Sequence, residues 1–302
     1  MDLVGRSLLT LADYSPEEIK YLIDLARRLK RESVEGVVTQ RFRGKSLAMI
    51  FEKRSTRTRC AFETAFGEEG GHPVFLGSAD IHLGEKESLE DTARVLGRMF
   101  CAIQFRGYHQ RTAEVLAEYS GVPVYNGLTD AYHPTQALAD LMTLHEAFPR
   151  QHNLIVAYVG DGRNNVARSL AIGCGKLGVE LRIIAPKALQ PSLDELEAPP
   201  GVSVTDRIEA VEGAHAVYTD VWYSMGEEEL ATERTAMLSP YRVDQSLMAG
   251  TKRAESIFLH CLPAVKGNEV THEVIDGHQS RAWDQAENRK HTIHAVMVAT
   301  IG

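Results

Sequence analysis

Several short strings in this chain combine residue types that handle anions, carbonyls and amines, and the first is Ser55-Thr56-Arg57-Thr58-Arg59. It follows an apolar run, Lys45 to Phe51, and opens a helical stretch that closes at Gly70-Gly71. The free N–H groups of a helix start attract anions, and hydroxyls add donors. The guanidinium of Arg57 offers a fork that suits phosphate oxygens. The string therefore reads as a phosphate cradle without the Walker pattern, and equally as an ordinary capped, solvated helix start. In Phe105-Arg106-Gly107-Tyr108, Arg106 stands at the end of a second strand candidate, where open α/β sheets place ligand contacts. A solvent-exposed turn arginine fits the same string. His133-Pro134-Thr135-Gln136 starts a helix, with Pro134 in the first turn. His133 and Gln136, one turn apart, can present a donor and an acceptor to one carbonyl–amine group, or simply cap the helix.

Further along, Gly160-Asp161-Gly162-Arg163-Asn164-Asn165 follows a strand and opens a helix. A dinucleotide fingerprint would need a third glycine and an acidic residue after the next strand, where Pro186-Lys187 stands instead. The Asn pair could receive a ligand carboxylate, or be plain turn chemistry. Asp220, in Asp220-Val221-Trp222-Tyr223-Ser224-Met225-Gly226, could hold a cationic amine, and Gly226 could let the loop swing. Glu227-Glu228-Glu229 reads as a solvated run. His260-Cys261-Leu262-Pro263 ends an apolar strand. Adjacent strand residues face opposite ways, which disfavours a thiolate–imidazole dyad from this pair. A buried Cys261 packing as a small hydrophobe fits as well. Arg289 opens the final helix, where a cation is usually solvated.

These strings need elements to hold them. Strand and helix signals alternate through all 302 residues, which predicts α/β architecture with mainly parallel sheets flanked by helices. Ser15-Pro16-Glu17-Glu18 reads as a capping box ahead of Ile19, Leu22, Ile23, Ala26 and Leu29. Strands are expected near 122–125, 153–159, 179–185, 216–219 and 257–259, and the last helix near 286–301. The break at Ala147-Phe148-Pro149-Arg150 suggests two domains, 1–148 and 149–285, with a C-terminal helix in 286–302 returning to the first.

Bulk properties narrow the classes further. A net charge of -8 argues against a general nucleic-acid binder. It also requires any anionic substrate to be captured by local cations. No apolar run approaches the roughly 18 residues of a membrane span, and no secretory leader is visible. Cys60, Cys101, Cys174 and Cys261 are scattered, which fits reduced thiols in a cytoplasm.

Taken in order, Ser-Thr-Arg-Thr-Arg, Phe-Arg-Gly-Tyr, His-Pro-Thr-Gln, Asp-Val-Trp-Tyr-Ser-Met-Gly, His-Cys-Leu-Pro and Ala-Glu-Asn-Arg are far more specific than any one alone. From about Leu8 to Ile301 the chain resembles the aspartate/ornithine carbamoyltransferase family. The resemblance implies a homotrimer, or a multiple of trimers, with active sites shared between subunits. It implies that Ser55, Thr56, Arg57 and Thr58 hold the phosphate of carbamoyl phosphate. Arg106, His133 and Gln136 would hold the carbamoyl end, with Arg289 nearby. His82 and Lys86 match the loop lent by a neighbouring subunit. Asn165, Asp220, Ser224 and Met225 match acceptor-binding positions, and Cys261 and Leu262 the junction of both substrates. Arg57, Arg106, His133 and Cys261 would be the residues nearest the chemistry. The Ser224-Met225-Gly226 loop favours ornithine, giving citrulline in arginine metabolism, with lysine, putrescine or an acylated ornithine as the alternative acceptor. No metal or organic cofactor is implied. One departure is the stretch from Pro186 to Val202, which looks short and carries Pro199-Pro200 where a longer helix is usual.

Overall fold

Buried apolar runs become parallel strands, and capped segments between them become helices. The computed structural model describes residues 1–78, 81, 86–149, 152–196, 200–223 and 228–302. The chain divides into two units, Met1–Ala139 with Glu287–Gly302, and Asp140–Ala286.

In the first unit the elements run α1 (Pro16–Val34), β1 (Ser46–Phe51), α2 (Thr56–Gly67), β2 (His72–Gly77), α3 (Leu89–Met99), β3 (Ala102–Arg106), α4 (Gln110–Ser120), β4 (Val124–Leu128) and the start of α5 (Pro134–Ala147). The sheet order is β2-β1-β3-β4, with every pairing parallel. Ser15 and Glu18 form the capping box expected for α1. The register slips between Phe105 and Arg106, so that Phe105 pairs Asn126 and Arg106 pairs Leu128. Gly127 is the residue skipped. A Cβ there would lie 2.6 Å from Gln104 Nε2 and 2.9 Å from Thr58 Cγ2, so the close approach demands glycine.

The second unit carries β5 (Ile155–Val159), α6 (Asn165–Leu177), β6 (Glu180–Ile184), β7 (Val202–Thr205), β8 (Ala216–Thr219), α7 (Ala231–Leu238), α8 (Gln245–Gly250), β9 (Ile257–His260), α9 (His272–Ile275) and the start of α10 (Ala282–Thr300). Its sheet order is β7-β6-β5-β8-β9, again parallel. Ala157, Val159, Val217, Phe258 and Ile275 lie in its core.

The structure departs from expectation in places. β4 begins at Val124, later than the apolar signal. β7, α7, α8 and α9 were not among the elements expected from the sequence. The division between units falls within α5, upstream of the break at Ala147-Phe148. α10 begins at Ala282, so Arg289 sits about two turns inside the helix and is 2% exposed. It is therefore a buried cation, not a solvated helix opener. Between Pro186 and Val202 the described backbone holds one short 3-10 turn, Lys187–Leu189. Among the described residues no helix is long and apolar enough to cross a membrane.

Candidate active site

In the first unit, α2 starts directly after β1. Ser55 caps it, its hydroxyl accepting the Thr58 N–H at 3.2 Å. Thr58 is fully buried and turns its hydroxyl inward. Two guanidinium groups reach it: Arg106 Nη1 at 3.3 Å and Arg289 Nη2 at 3.2 Å. The bulge in the strand pair frees the Gly127 carbonyl, which accepts from Arg106 Nη1 at 3.4 Å. Arg289 also donates to Gln136 Oε1 at 2.8 Å and to Thr135 Oγ1 at 3.2 Å. Thr135 Oγ1 stands 3.4 Å from His133 Nδ1.

His133 is 5% exposed. Burial pushes its imidazole well below its ordinary value, and Arg289, Arg106 and Arg57 push the same way. The ring is thus neutral at physiological pH and sits in a positive field. Neutral hydrogen-bonding groups ringed by fixed guanidinium charge are what a small anion with a carbonyl needs. Arg57 is half-buried and Thr56 is exposed at the same helix start. Arg59 instead pairs with Glu63 at 2.9 Å and covers the Phe75 ring.

In the second unit, Asn164 caps α6, accepting the Ala167 N–H at 2.8 Å and donating to the Tyr158 hydroxyl at 2.7 Å. Asn165 is the first residue of that helix. Asp220 follows β8, and its Oδ1 accepts from Val221 N–H at 2.8 Å and from the Cys261 thiol at 2.9 Å. Tyr158 and Tyr218 stack at 5.5 Å. Burial raises both phenols well above their ordinary range, and the Asp220 charge adds to it. Asp161 also pairs with Arg234 of α7 at 2.7 Å.

Thr58, Arg106, His133, Gln136 and Arg289 thus come together around one point, with Arg57 near enough to act on His133. Asp220 and Cys261 come together in the other unit, with Leu262 next in the chain. His82, Ser224 and Met225, with Gly226, lie outside the described residues. Lys86 is exposed ahead of α3. Asp220, His260 and Cys261 bring three donor atoms within 4.8 Å, a spacing that could suit a metal. However, His260 Nδ1 already accepts the Leu262 N–H, and Nε2 faces Glu269. Motif reading missed Thr135, Tyr158 and Glu269. Thr135 lay inside a quoted string and was the findable one.

Residues 6–146 match the family model described as "Aspartate/ornithine carbamoyltransferase, carbamoyl-P binding domain". Residues 152–300 match that of the "Asp/Orn binding domain". The chain is 61% identical to an ornithine carbamoyltransferase of Thermotoga maritima, over 100% of this chain and 99% of that one. A solved ornithine carbamoyltransferase from Pyrococcus furiosus superposes with a TM-score of 0.93 at 42% identity, covering 100% and 99% of the two chains. The one from Thermus thermophilus gives 0.88 at 40%, covering 98% and 99%.

Proposed function

We infer the reaction from one premise, that the chain belongs to the aspartate/ornithine carbamoyltransferase family. It transfers the carbamoyl group of carbamoyl phosphate to the side-chain amine of ornithine, giving citrulline and phosphate. The observation that carries the donor half is the buried Arg106–Thr58–Arg289 cluster beside neutral His133.

In this reading the first domain, 1–148 with the returning helix, binds carbamoyl phosphate, and 149–285 binds ornithine. Ser55, Thr56, Arg57 and Thr58 hold the phosphate. Arg106, His133, Gln136 and Arg289 hold the carbamoyl group, with His82 supplied by a neighbouring copy. Asn165, Asp220, Ser224 and Met225 hold ornithine, and Cys261 and Leu262 line the junction.

The reacting amine titrates near 10 when free, as alkyl amines do, and must release one proton to solvent before it attacks as the neutral amine. Attack on the carbonyl carbon forms a C–N bond and places negative charge on the carbonyl oxygen. Arg106 and the Thr58 hydroxyl stabilise that charge. The Thr135 hydroxyl, which takes an Arg289 N–H, has its own proton free for His133 Nδ1. That leaves the His133 proton on Nε2, as a donor to the same oxygen. The tetrahedral intermediate collapses, the C–O bond to phosphate breaks, and phosphate takes the amine proton. Most of the rate comes from holding two small substrates in line under fixed charge.

The assembly in this reading is a homotrimer or a multiple of trimers, and the exposed apolar side chains Val95 and Met99 on α3, 47% and 69% exposed, are compatible with a subunit contact. A cytoplasmic setting is supported by four cysteines that form no disulfide. Purified protein given carbamoyl phosphate and a panel of ornithine, lysine, putrescine and N-acetylornithine is expected to form ureido product from ornithine by at least tenfold in kcat/KM over the others. A preference for another amine would overturn the acceptor assignment.

A further inference from the structure

The turn after β9 is held by a buried imidazole that the reaction scheme leaves unused. His260 is fully buried, and its Nδ1 accepts the Leu262 N–H at 2.9 Å. A ring nitrogen that accepts carries no proton, so the neutral ring keeps its proton on Nε2. Among the described residues Nε2 makes no hydrogen bond; the Oε1 of Glu269 lies 3.4 Å away, and that side chain is 1% exposed. The same carboxylate oxygen accepts the Val265 N–H at 2.5 Å, which pins the far side of the loop. The His260 N–H donates to Gln285 Oε1 at 2.9 Å, and Gln285 Nε2 donates to Asp140 Oδ1 at 2.6 Å.

Four buried polar side chains therefore converge on one strand end. What they hold is Leu262 at φ 60°, a left-handed backbone that a leucine avoids unless its surroundings impose it. The His260 ring does not serve the neighbouring thiol, since Cys261 Sγ donates to Asp220 instead. Its action passes through the backbone of Leu262.

We propose that His260 and Glu269 are positioning residues for carbamoyl transfer: the imidazole, accepting the Leu262 N–H, and Glu269, accepting the Val265 N–H, together lock the turn that sets Cys261 and Leu262 against the two substrates. This rests on the reading that Cys261 and Leu262 line the substrate junction. Displacing reacting partners by about an ångström can cost on the order of a hundredfold in rate. The lock should therefore appear in kcat more than in either KM.

Two near-isosteric variants separate the ring nitrogens. His260→Asn places an amide oxygen near the position of Nδ1, and keeps an acceptor for Leu262. His260→Gln places an amide nitrogen near Nε2 and removes that acceptor. The expected result is kcat within about fivefold of wild type for His260→Asn. For His260→Gln it is a loss of about fiftyfold or more, at matched Tm and with both KM values little changed. Equal kcat in the two variants, or losses that only track Tm, would overturn the proposal. Should either variant fail to fold, wild-type protein labelled with 15N-histidine supplies the readout. One of its 12 histidine rings must show an unprotonated Nδ1 and a protonated Nε2 that persist when carbamoyl phosphate is bound. Glu269→Gln assigns that ring by moving its Nε2 signal and lowering kcat severalfold. A proton on Nδ1, or no response to Glu269→Gln, would overturn it. Cys261→Ala distinguishes the layers. Full activity there removes the junction reading itself, whereas impaired Cys261→Ala with equal Asn and Gln variants removes only the lock.

Discussion

Thr58 illustrates how a single hydroxyl organises the donor half of the proposed site. Its oxygen takes N–H groups from both Arg106 and Arg289, and these anchor the two forks within reach of one another. Arg289 also donates to Gln136 and Thr135, so its plane is held from several sides. A lysine could keep the charge but not the fork. Arg289→Lys is therefore expected to lower kcat/KM for carbamoyl phosphate by about tenfold to a hundredfold, since a charge-assisted hydrogen bond contributes roughly 1.5–3 kcal/mol. The KM for ornithine should stay within twofold. Asp220→Asn makes the converse test. An asparagine oxygen can still accept from Val221 N–H and the Cys261 thiol, so the local geometry survives while the charge goes. Steady-state kinetics should then show a rise in the ornithine KM with that for carbamoyl phosphate unchanged. Equal losses for both substrates in either variant would count against the division of labour.

At the scale of elements, the start of α2 does two jobs that one substitution series can separate. Ser55 closes the helix through its contact with Thr58 N–H, and on the proposed assignment the N–H groups of the same turn receive the phosphate. Ser55→Ala should cost about 1 kcal/mol of stability by chemical denaturation and weaken carbamoyl phosphate binding. Ser55→Asp restores a good cap but sets a negative charge against the incoming anion. Stability should recover while donor binding weakens further. A variant in which the two losses move together would show that helix order alone controls the site. The same cap explains why α2 was legible from sequence: Ser55, like Ser15 and Asn164, is a local signal that acts within three residues. Strands β1, β3, β5 and β8 were legible because they are buried on both faces and read as apolar runs. β7 is short and only partly buried, and its pattern does not stand out. Arg289 was misplaced because α10 carries buried Asn288, His291, Thr292 and His294, which read as a solvated polar face. Glu269 and Tyr158 could not have been found by spacing. Their meaning comes from contacts that the folded loops create, and nothing local marks either as special.

At the scale of the whole molecule, four buried histidines bear on pH dependence. His133, His215, His291 and His294 are each held below the ordinary imidazole value, and burial is the leading cause in every case. His215 shows why a proton is unwelcome: its Nδ1 accepts the Ile155 N–H at 3.1 Å, and protonation there would face one donor with another. A histidine whose native pKa is depressed contributes stability that is complete above the unfolded value of 6.5. Below that pH the unfolded chain takes protons that the native chain refuses, so the contribution is lost as pH falls toward the native values. Glu69 acts on a separate, lower window. Its carboxyl is lowered from 4.5 despite the opposing effect of burial, through the Thr39 hydroxyl, the Arg41 N–H and the nearby charges of His294 and Arg41. The interval between about pH 6.5 and 5 should thus report the histidines. Tm is expected to be level from pH 8 to 7 and then to fall on acidification, before the carboxylates titrate. Calorimetry at pH 6 in buffers of different ionisation enthalpy should detect net proton uptake on unfolding. His215→Asn keeps an acceptor for the Ile155 N–H and removes one titrating group, so that uptake should shrink by up to one proton. A flat Tm across pH 7 to 5, or no uptake at pH 6, would mean that these rings gain their protons without cost and are not sealed from water as their burial implies.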